Sequence, residues 1–308
     1  MKNYLKRTPL SISGIALALA ALGNLLEMHH VLFKHILNIL CILLIVIYLL
    51  KVIFDFDGVK RELSSAISFS LLATFCMSII LIGTYFFPLG NDIGRLIWRL
   101  GVTLNLIFYI LFIIKYIVFF KLEHIYPSMF VSMVGLVVGT ITGPLLQEYT
   151  LSYILFYLGL IGYAFMLGLQ LVRFKLGNKF DQASFLTCAI FTAPVSLLAT
   201  GYISAFDTTT QSSKILLLIL MFLIFVSYTL VLIYVIIPNL YKRFYPTLAA
   251  FTFPVVISAT AFTRLSTIFD TRYHLLLYIG YITQIIACIV VFTVLYRYII
   301  YILKQKEA

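Results

Sequence analysis

Two prolines lie inside long apolar stretches of this chain, and they have the clearest chemical meaning in the sequence. Pro194 lies within Gln182–Phe206 and Pro254 within Tyr245–Ile268. Proline lacks a backbone N–H, and its ring clashes with the carbonyl four residues earlier, so a helix kinks or breaks there. The backbone donors and helix-end dipoles at such a break favour negative charge. The two prolines therefore predict a polar path suited to anions.

Phe253 directly precedes Pro254 and has the most specific predicted role. A broken helix cannot face lipid, because its freed backbone groups need protein or water as partners. We therefore expect this helix to line a pore, with the Phe253 ring standing in it. The alternative for Phe253 is a packed core aromatic.

Small and hydroxyl-bearing residues accompany the prolines. Hydroxyl groups supply further hydrogen-bond donors, and small side chains let helices approach closely. The residues expected to line or kink the path are Pro194, Pro254, Gly14, Gly135, Thr192, Ser196, Thr252 and Ser258.

Arg264 lies at the outer end of the same stretch as Phe253. A basic side chain at a pore mouth raises the local concentration of anions, so we expect Arg264 to attract them. The alternative is an interfacial anchor, which is a common role for arginine at the end of a span.

Catalytic and metal-binding patterns are missing from the sequence. The histidines fall near the ends of apolar stretches, and there is no H-E-x-x-H, no G-x-S-x-G with partners and no phosphate-binding loop. The cysteines have no paired spacing and are typical of core residues, and they are Cys41, Cys76, Cys188 and Cys288. We expect neither enzyme activity nor a cofactor or metal.

The chain that carries these residues is 63% hydrophobic and 11% charged over 308 residues, which indicates a multi-pass membrane protein with a single transmembrane domain over 1–308. Apolar runs of sufficient length predict ten spans. They are Pro9–Leu26, Val31–Phe54, Ser65–Phe87, Ile93–Phe119, Pro127–Leu146, Tyr149–Leu171, Gln182–Phe206, Lys214–Ile237, Pro246–Ile268 and His274–Leu303.

The spans alternate in composition. Even-numbered spans are bulky, whereas odd-numbered spans are rich in Gly, Ala, Ser and Thr. Bulky side chains suit lipid, and small ones suit close packing or a wet lumen. The pattern predicts an all-α fold of five helical hairpins, with inner odd-numbered and outer even-numbered helices around a central pore. The alternative is a tight bundle without a hole.

The formal net charge of +11 is explained by short basic loops, so no nucleic-acid partner is needed. Ten spans put both termini on one side, and most basic residues collect there, which predicts cytoplasmic termini in the cell membrane. The basic residues of the opposite side are Lys34, Arg95, Arg99, Lys214, Arg264 and Arg272. A secretory signal is the alternative for the N-terminal apolar stretch. The small residues of this stretch match those of the later spans, which favours a first transmembrane helix.

Acidic residues are absent from the middle of every predicted span. Proton- and sodium-coupled carriers usually need a buried carboxylate, and cation pores commonly carry acidic rings. The sequence therefore favours an uncoupled path for anions.

Four segments together resemble the tellurite-resistance/dicarboxylate transporter family, which includes bacterial tellurite-resistance proteins, malate permeases and plant slow anion channels. They are Leu17–Leu26, Ile67–Met77, Ala193–Tyr202 and Phe251–Phe262. The resemblance covers essentially the whole chain and implies ten helices as five hairpins around a pore, assembled as a homotrimer. It also implies that Phe253, in the T-F-P step, acts as a pore gate.

The resemblance implies inorganic or small organic anions as substrates. We expect an anion channel or uniporter in the lipid bilayer that passes small anions past Phe253. An exporter of C4-dicarboxylates such as malate, or of oxyanions such as sulfite or tellurite, is the alternative on the same fold. A non-transporting membrane sensor or scaffold would not need the strict alternation of spans.

Overall fold

The fold of the protein is given by a computed structural model, which describes residues 2–119, 125–177, 180–269 and 274–304. His124 and Arg272, both placed near span ends by the sequence, lie outside these ranges. The described residues contain helices and no strand. The α-helices are α1 (Lys2–Arg7), α2 (Ile12–Leu26), α3 (Val31–Phe54), α4 (Phe56–Glu62), α5 (Ala66–Ser70), α6 (Leu72–Phe86), α7 (Asn91–Phe112), α8 (Met129–Val134), α9 (Val137–Thr142), α10 (Tyr149–Lys175), α11 (Gln182–Phe185), α12 (Ala193–Ala205), α13 (Gln211–Val231), α14 (Ile237–Asn239), α15 (Thr252–Phe269) and α16 (Leu275–Lys304).

Eight helical segments among the described residues are long and apolar enough to cross a membrane. They are Val31–Phe54, Ala66–Leu89, Asn91–Val118, Tyr149–Lys175, Gln182–Ala205, Gln211–Asn239, Pro246–Phe269 and Leu275–Lys304. The first and fifth predicted spans contain shorter apolar helices, Ile12–Leu26 and Val137–Leu146. The structure thus confirms an all-helical, multi-pass membrane protein, and the count of ten spans stays a prediction.

Burial follows the predicted alternation of small and bulky spans. In an 18-residue apolar stretch of Pro246–Phe269, 89% of the residues are buried, and the share is 83% in Gln182–Ala205. The corresponding share is only 22% in Gln211–Asn239 and 33% in Leu275–Lys304. Segments rich in Ala, Ser and Thr therefore lie inside the molecule. Leu-, Ile- and Phe-rich segments cover it with an apolar surface suited to lipid.

Neighbouring spans pack along their length, as in the pairs α2–α3, α6–α7 and α15–α16. Glycines allow this close approach between α6 and α7. A Cβ built on Gly83 would lie 2.6 Å from the Trp98 backbone nitrogen, and one on Gly101 would lie 2.7 Å from the Ile80 nitrogen. The two backbones are therefore in direct contact at these points.

Both prolines that drew attention in the sequence lie in the first turn of an α-helix that follows a 3₁₀ segment. The 3₁₀ helix Leu186–Thr192 leads into α12, in which Pro194 is the second residue. The 3₁₀ helix Pro246–Phe251 leads into α15, in which Pro254 is the third residue. First-turn N–H groups have no partner within their helix, so proline is tolerated there.

The third and fifth spans break without a proline. Leu71 separates α5 from α6, and Gly135 and Leu136 separate α8 from α9. A Cβ on Gly135 would lie 2.4 Å from the Val131 carbonyl oxygen and 2.8 Å from the Met77 sulfur. A residue without a side chain is therefore needed at this break.

The backbone contact between α6 and α7 predicts the effect of adding one methyl group. Gly101→Ala should lower the thermal midpoint of the detergent-solubilised protein by about 5 °C, because overpacking against backbone costs about 1–3 kcal/mol. Circular dichroism measures the change. Gly168→Ala in α10 is the matched control, because a Cβ there has no neighbour within 4 Å. Equal midpoints for the two variants would contradict the close contact.

Candidate anion path

Three cavities follow one another along the inner segments, and we name each by its walls. The Arg264 vestibule has a volume of about 460 Å³ and is lined by Arg264, Lys34 and Glu27 among others. The central chamber has about 30 Å³, enough for about two water molecules. The Lys6 vestibule has about 450 Å³, and Lys6 and Glu62 contribute to its wall.

The central chamber receives residues from all five predicted inner spans. Gly14 comes from the first, Met77 from the third, Gly135 from the fifth, Pro194 from the seventh and Pro254 from the ninth. Four of these five positions were predicted from sequence to line or kink the path. Gly135, Pro194 and Pro254 lie at or beside a point where their inner segment changes helical geometry.

Two side chains stand at the ends of the chamber. Phe253 lines both the chamber and the Arg264 vestibule, and its residue surface is only 7% exposed. Leu71, at the break between α5 and α6, lines both the chamber and the Lys6 vestibule. The chamber thus shares one apolar wall residue with each vestibule.

Ser196 and Ser258 were predicted to line the path, but neither lines any of the three cavities. Their hydroxyl oxygens lie 2.9 Å apart, where they join α12 to α15. Each is also within hydrogen-bond distance of a backbone carbonyl one turn earlier, that of Thr192 or Pro254. Their position indicates a role in helix packing.

Thr192 and Thr252 are likewise fully buried away from the three cavities. The Thr252 hydroxyl donates to the Ala249 carbonyl at 2.7 Å and lies 3.3 Å from the Gly14 carbonyl, which ties the ninth span to the first. The Thr192 hydroxyl donates to the Ala189 carbonyl at 3.4 Å. These hydroxyls satisfy helix backbone and do not face the cavities.

The hydroxyls that do line the Arg264 vestibule include Thr260 and Thr263, which the sequence reasoning did not single out. Counted from Phe253, the vestibule residues Ile257, Thr260 and Arg264 follow at helical spacing on one face of α15. That spacing was the signal available in the sequence. The prediction from residue type alone chose Thr252 and Ser258, which lie on a packed face of α15.

Arg264 lies on the vestibule wall at the end of α15 remote from Pro254. Its guanidinium donates a hydrogen bond to the Ser204 hydroxyl of α12. Within the described part of the chain it has no carboxylate within ion-pair distance. The nearby loop acid, Asp207, accepts from the N–H and O–H of Thr209, which lowers the pKa of its carboxyl.

Three other basic side chains on this side of the molecule pair with acids. Lys34 Nζ lies 3.0 Å from both carboxylate oxygens of Glu27. Arg99 and Arg95 both approach Glu148, at 2.6 Å and 3.8 Å. Arg264 differs from them because no described acidic side chain lies within ion-pair distance of its guanidinium.

A buried ion pair secures the opposite end of the path. Lys51 is only 1% exposed, and its ammonium lies 2.6 Å from Glu62 and 3.6 Å from Asp55. The second Glu62 oxygen accepts from the Leu10 backbone N–H at 2.9 Å, just before α2. The pair therefore fixes the start of the first inner helix against α3 and α4.

The cysteines are free, as the sequence indicated, although Cys288 is only half-buried. Among the described residues, no group of three or more His, Cys, Asp and Glu could hold a metal ion. The described structure therefore offers no candidate metal centre next to the path.

A comparison with protein families matches residues 7–299 to the SLAC1 family, described as voltage-dependent anion channel. The match covers nearly the whole chain. A search of curated proteins found no match.

The assignment of cavity walls predicts which introduced thiols react. Thr260→Cys should react with a small water-soluble thiol reagent about tenfold or more faster than Ser258→Cys, because a thiol packed between helices is inaccessible and resists ionisation. Mass spectrometry of the detergent-solubilised protein follows the labelling, and the wild-type cysteines give the background. Faster labelling at position 258 would restore Ser258 to the path.

Proposed function

Because the chain belongs to the SLAC1 family of voltage-dependent anion channels, we propose that it forms an uncoupled membrane path for small anions, gated by Phe253. One observation carries the proposal. Phe253 is shared by the walls of the central chamber and the Arg264 vestibule, which supports a gate formed by its side chain between them.

The proposed architecture is ten transmembrane helices arranged as five hairpins, with the odd-numbered members around the path. It is supported by the contribution of all five inner segments to the central chamber. The high burial of Pro246–Phe269 and the low burial of Gln211–Asn239 agree with inner and outer roles.

The gate works in this proposal by steric closure. The central chamber has room for about two water molecules, so an anion cannot pass with its hydration shell while the Phe253 ring keeps this position. Rotation of the ring would join chamber and vestibule. Leu71 forms a second apolar narrowing at the other end of the chamber.

Anion preference in the proposal comes from local electrostatics. None of the described residues that line the chamber is acidic. Pro194 and Pro254 lie beside the chamber, where a 3₁₀ helix passes into an α-helix, and backbone dipoles at such irregular points are proposed to favour an anion. Arg264 adds a positive charge in the adjoining vestibule.

We place both termini on the cytoplasmic side of the cell membrane, with the Lys6 vestibule facing the cytoplasm. The concentration of basic residues at that end supports this orientation. The Arg264 vestibule then opens to the outside. We further propose a homotrimer, as the family resemblance implies, with one path in each protomer and with neither cofactor nor nucleic acid as a partner.

Export of C4-dicarboxylates or oxyanions is the second candidate. One observation favours it, because the Arg264 vestibule contains two basic residues, Arg264 and Lys34, and has a volume of about 460 Å³. A dicarboxylate needs two cationic contacts. Lys34, however, is already paired with Glu27, which favours the channel for small anions.

The steric gate predicts a graded response at position 253. Chloride and nitrate flux into proteoliposomes should rise in the order Phe253, Phe253→Leu, Phe253→Ala, because each smaller side chain opens the contact between chamber and vestibule further. Phe253→Ala should increase flux at least about tenfold, since the barrier change of even 1.4 kcal/mol has that effect.

Phe251→Leu is the matched control for this series. Phe251 is fully buried in the same inner span but lines none of the three cavities. Its flux should stay at the wild-type level. Wild-type flux from a correctly folded, reconstituted Phe253→Ala protein would reject the gate.

A further inference from the structure

We infer that the Arg264 vestibule selects a single negative charge, so that it holds one monovalent anion and disfavours a divalent one, and that Glu27 sets this limit by neutralising Lys34. The inference rests on the proposed function in assigning the vestibule to the anion path. It identifies Arg264 as the binding residue and Glu27 as a specificity-determining residue.

The charged side chains of the vestibule leave it with a net positive charge. Among the described residues, three charged side chains line it, namely Arg264, Lys34 and Glu27. Lys34 is held symmetrically by both oxygens of Glu27 at 3.0 Å. Arg264 has no acidic partner among the described residues. One positive charge therefore remains uncompensated.

The Arg264 charge lies in a largely apolar cavity. Much of the vestibule wall is apolar, including Leu25, Leu81 and Ile257. Low-dielectric walls strengthen the attraction between Arg264 and a bound anion. A divalent anion would keep a second negative charge with no cation to pair it, and unpaired charge in such surroundings is costly.

Hydrogen-bond donors complete the site. The Arg264 guanidinium has five N–H groups, and Ser204 accepts from only one of its nitrogens in the described structure. Asn24 also lines the vestibule, and its buried Oδ1 has no hydrogen-bond partner. Asn24 therefore adds an uncharged polar side chain to the same wall as Arg264.

A comparable charge group nearby provides a control. Glu148 pairs with Arg99 at 2.6 Å, and neither residue is among those that line the Arg264 vestibule. Neutralising Glu148 changes the net charge of the protein by the same amount as neutralising Glu27. Only Glu27, however, would release a cation into the vestibule wall.

The protein contains a built-in reporter for this site. Trp98 is the single tryptophan of the chain, and its indole N–H donates to the Thr142 hydroxyl at 2.8 Å. Thr142 lines the Arg264 vestibule. Anion binding can therefore be followed by Trp98 emission and, independently, by the rise in thermal midpoint that a bound ligand causes.

The test compares chloride with sulfate in detergent, with ionic strength held constant by gluconate salts. The wild type should bind chloride about tenfold more tightly than sulfate. Glu27→Gln should abolish or reverse that preference, whereas Glu148→Gln should leave it unchanged. Arg264→Gln should weaken chloride binding about tenfold, and Arg264→Lys should restore most of it.

Each contrary result overturns the inference. The inference is wrong if the wild type shows no detectable chloride binding or if Arg264→Gln binds chloride as tightly as the wild type. It is also wrong if Glu27→Gln keeps the wild-type preference for chloride over sulfate, or if Glu148→Gln changes that preference as much as Glu27→Gln does. Because binding is measured without transport, the two proposals fail separately. Arg264-dependent binding without liposome flux would reject the channel alone, and flux without Arg264-dependent binding would reject the site alone.

Discussion

A backbone N–H or C=O in lipid must find its partner within the protein, and the rest of this structure depends on that constraint. Straight α-helices such as α3 and α16 satisfy it on their own and can face outward. The segments Ala66–Leu89, Gln182–Ala205 and Pro246–Phe269, which contain interruptions or 3₁₀ turns, have polar backbone groups that need partners from neighbouring helices, and they lie inside. Side-chain hydroxyls then occupy carbonyls around the irregular turns, as Thr252 does for Ala249. The proposed path for anions thus lies among the irregular inner segments.

This constraint explains which parts of the fold could be predicted. The predicted span Val31–Phe54 coincides with α3, because a continuous apolar run ends at polar residues on both sides and His30 caps the helix through the Leu32 N–H. The predicted span Pro127–Leu146 instead comprises α8, α9 and a 3₁₀ turn. At the break, Gly135 lies close to Met77 of another span, and no local pattern contains such a contact.

The candidate site shows the same division between local and tertiary information. Phe253 could be singled out because the proline that follows it restricts the local backbone. Its place between chamber and vestibule, however, depends on four other segments. Ser196 and Ser258 were selected for their hydroxyls, but residue type does not state which face of a helix is turned to a neighbour. Thr260 carries the same chemistry on the vestibule face of α15. Helical phase from Phe253 separates the two groups, whereas composition does not.

The asymmetry of charge gives the proposed path a direction. In the proposed orientation the Lys6 vestibule, with Lys6 and Arg7 in its wall, gathers anions from the cytoplasm. An inside-negative membrane potential then drives each monovalent anion outward by about 2.3 kcal/mol per 100 mV. At the outer end most described cations are paired with acids, so Arg264 presents a local charge without a broad basic surface to retain the departing anion. The positive-inside rule already requires few basic residues at the outer end. The same scarcity of basic residues also favours release of the anion.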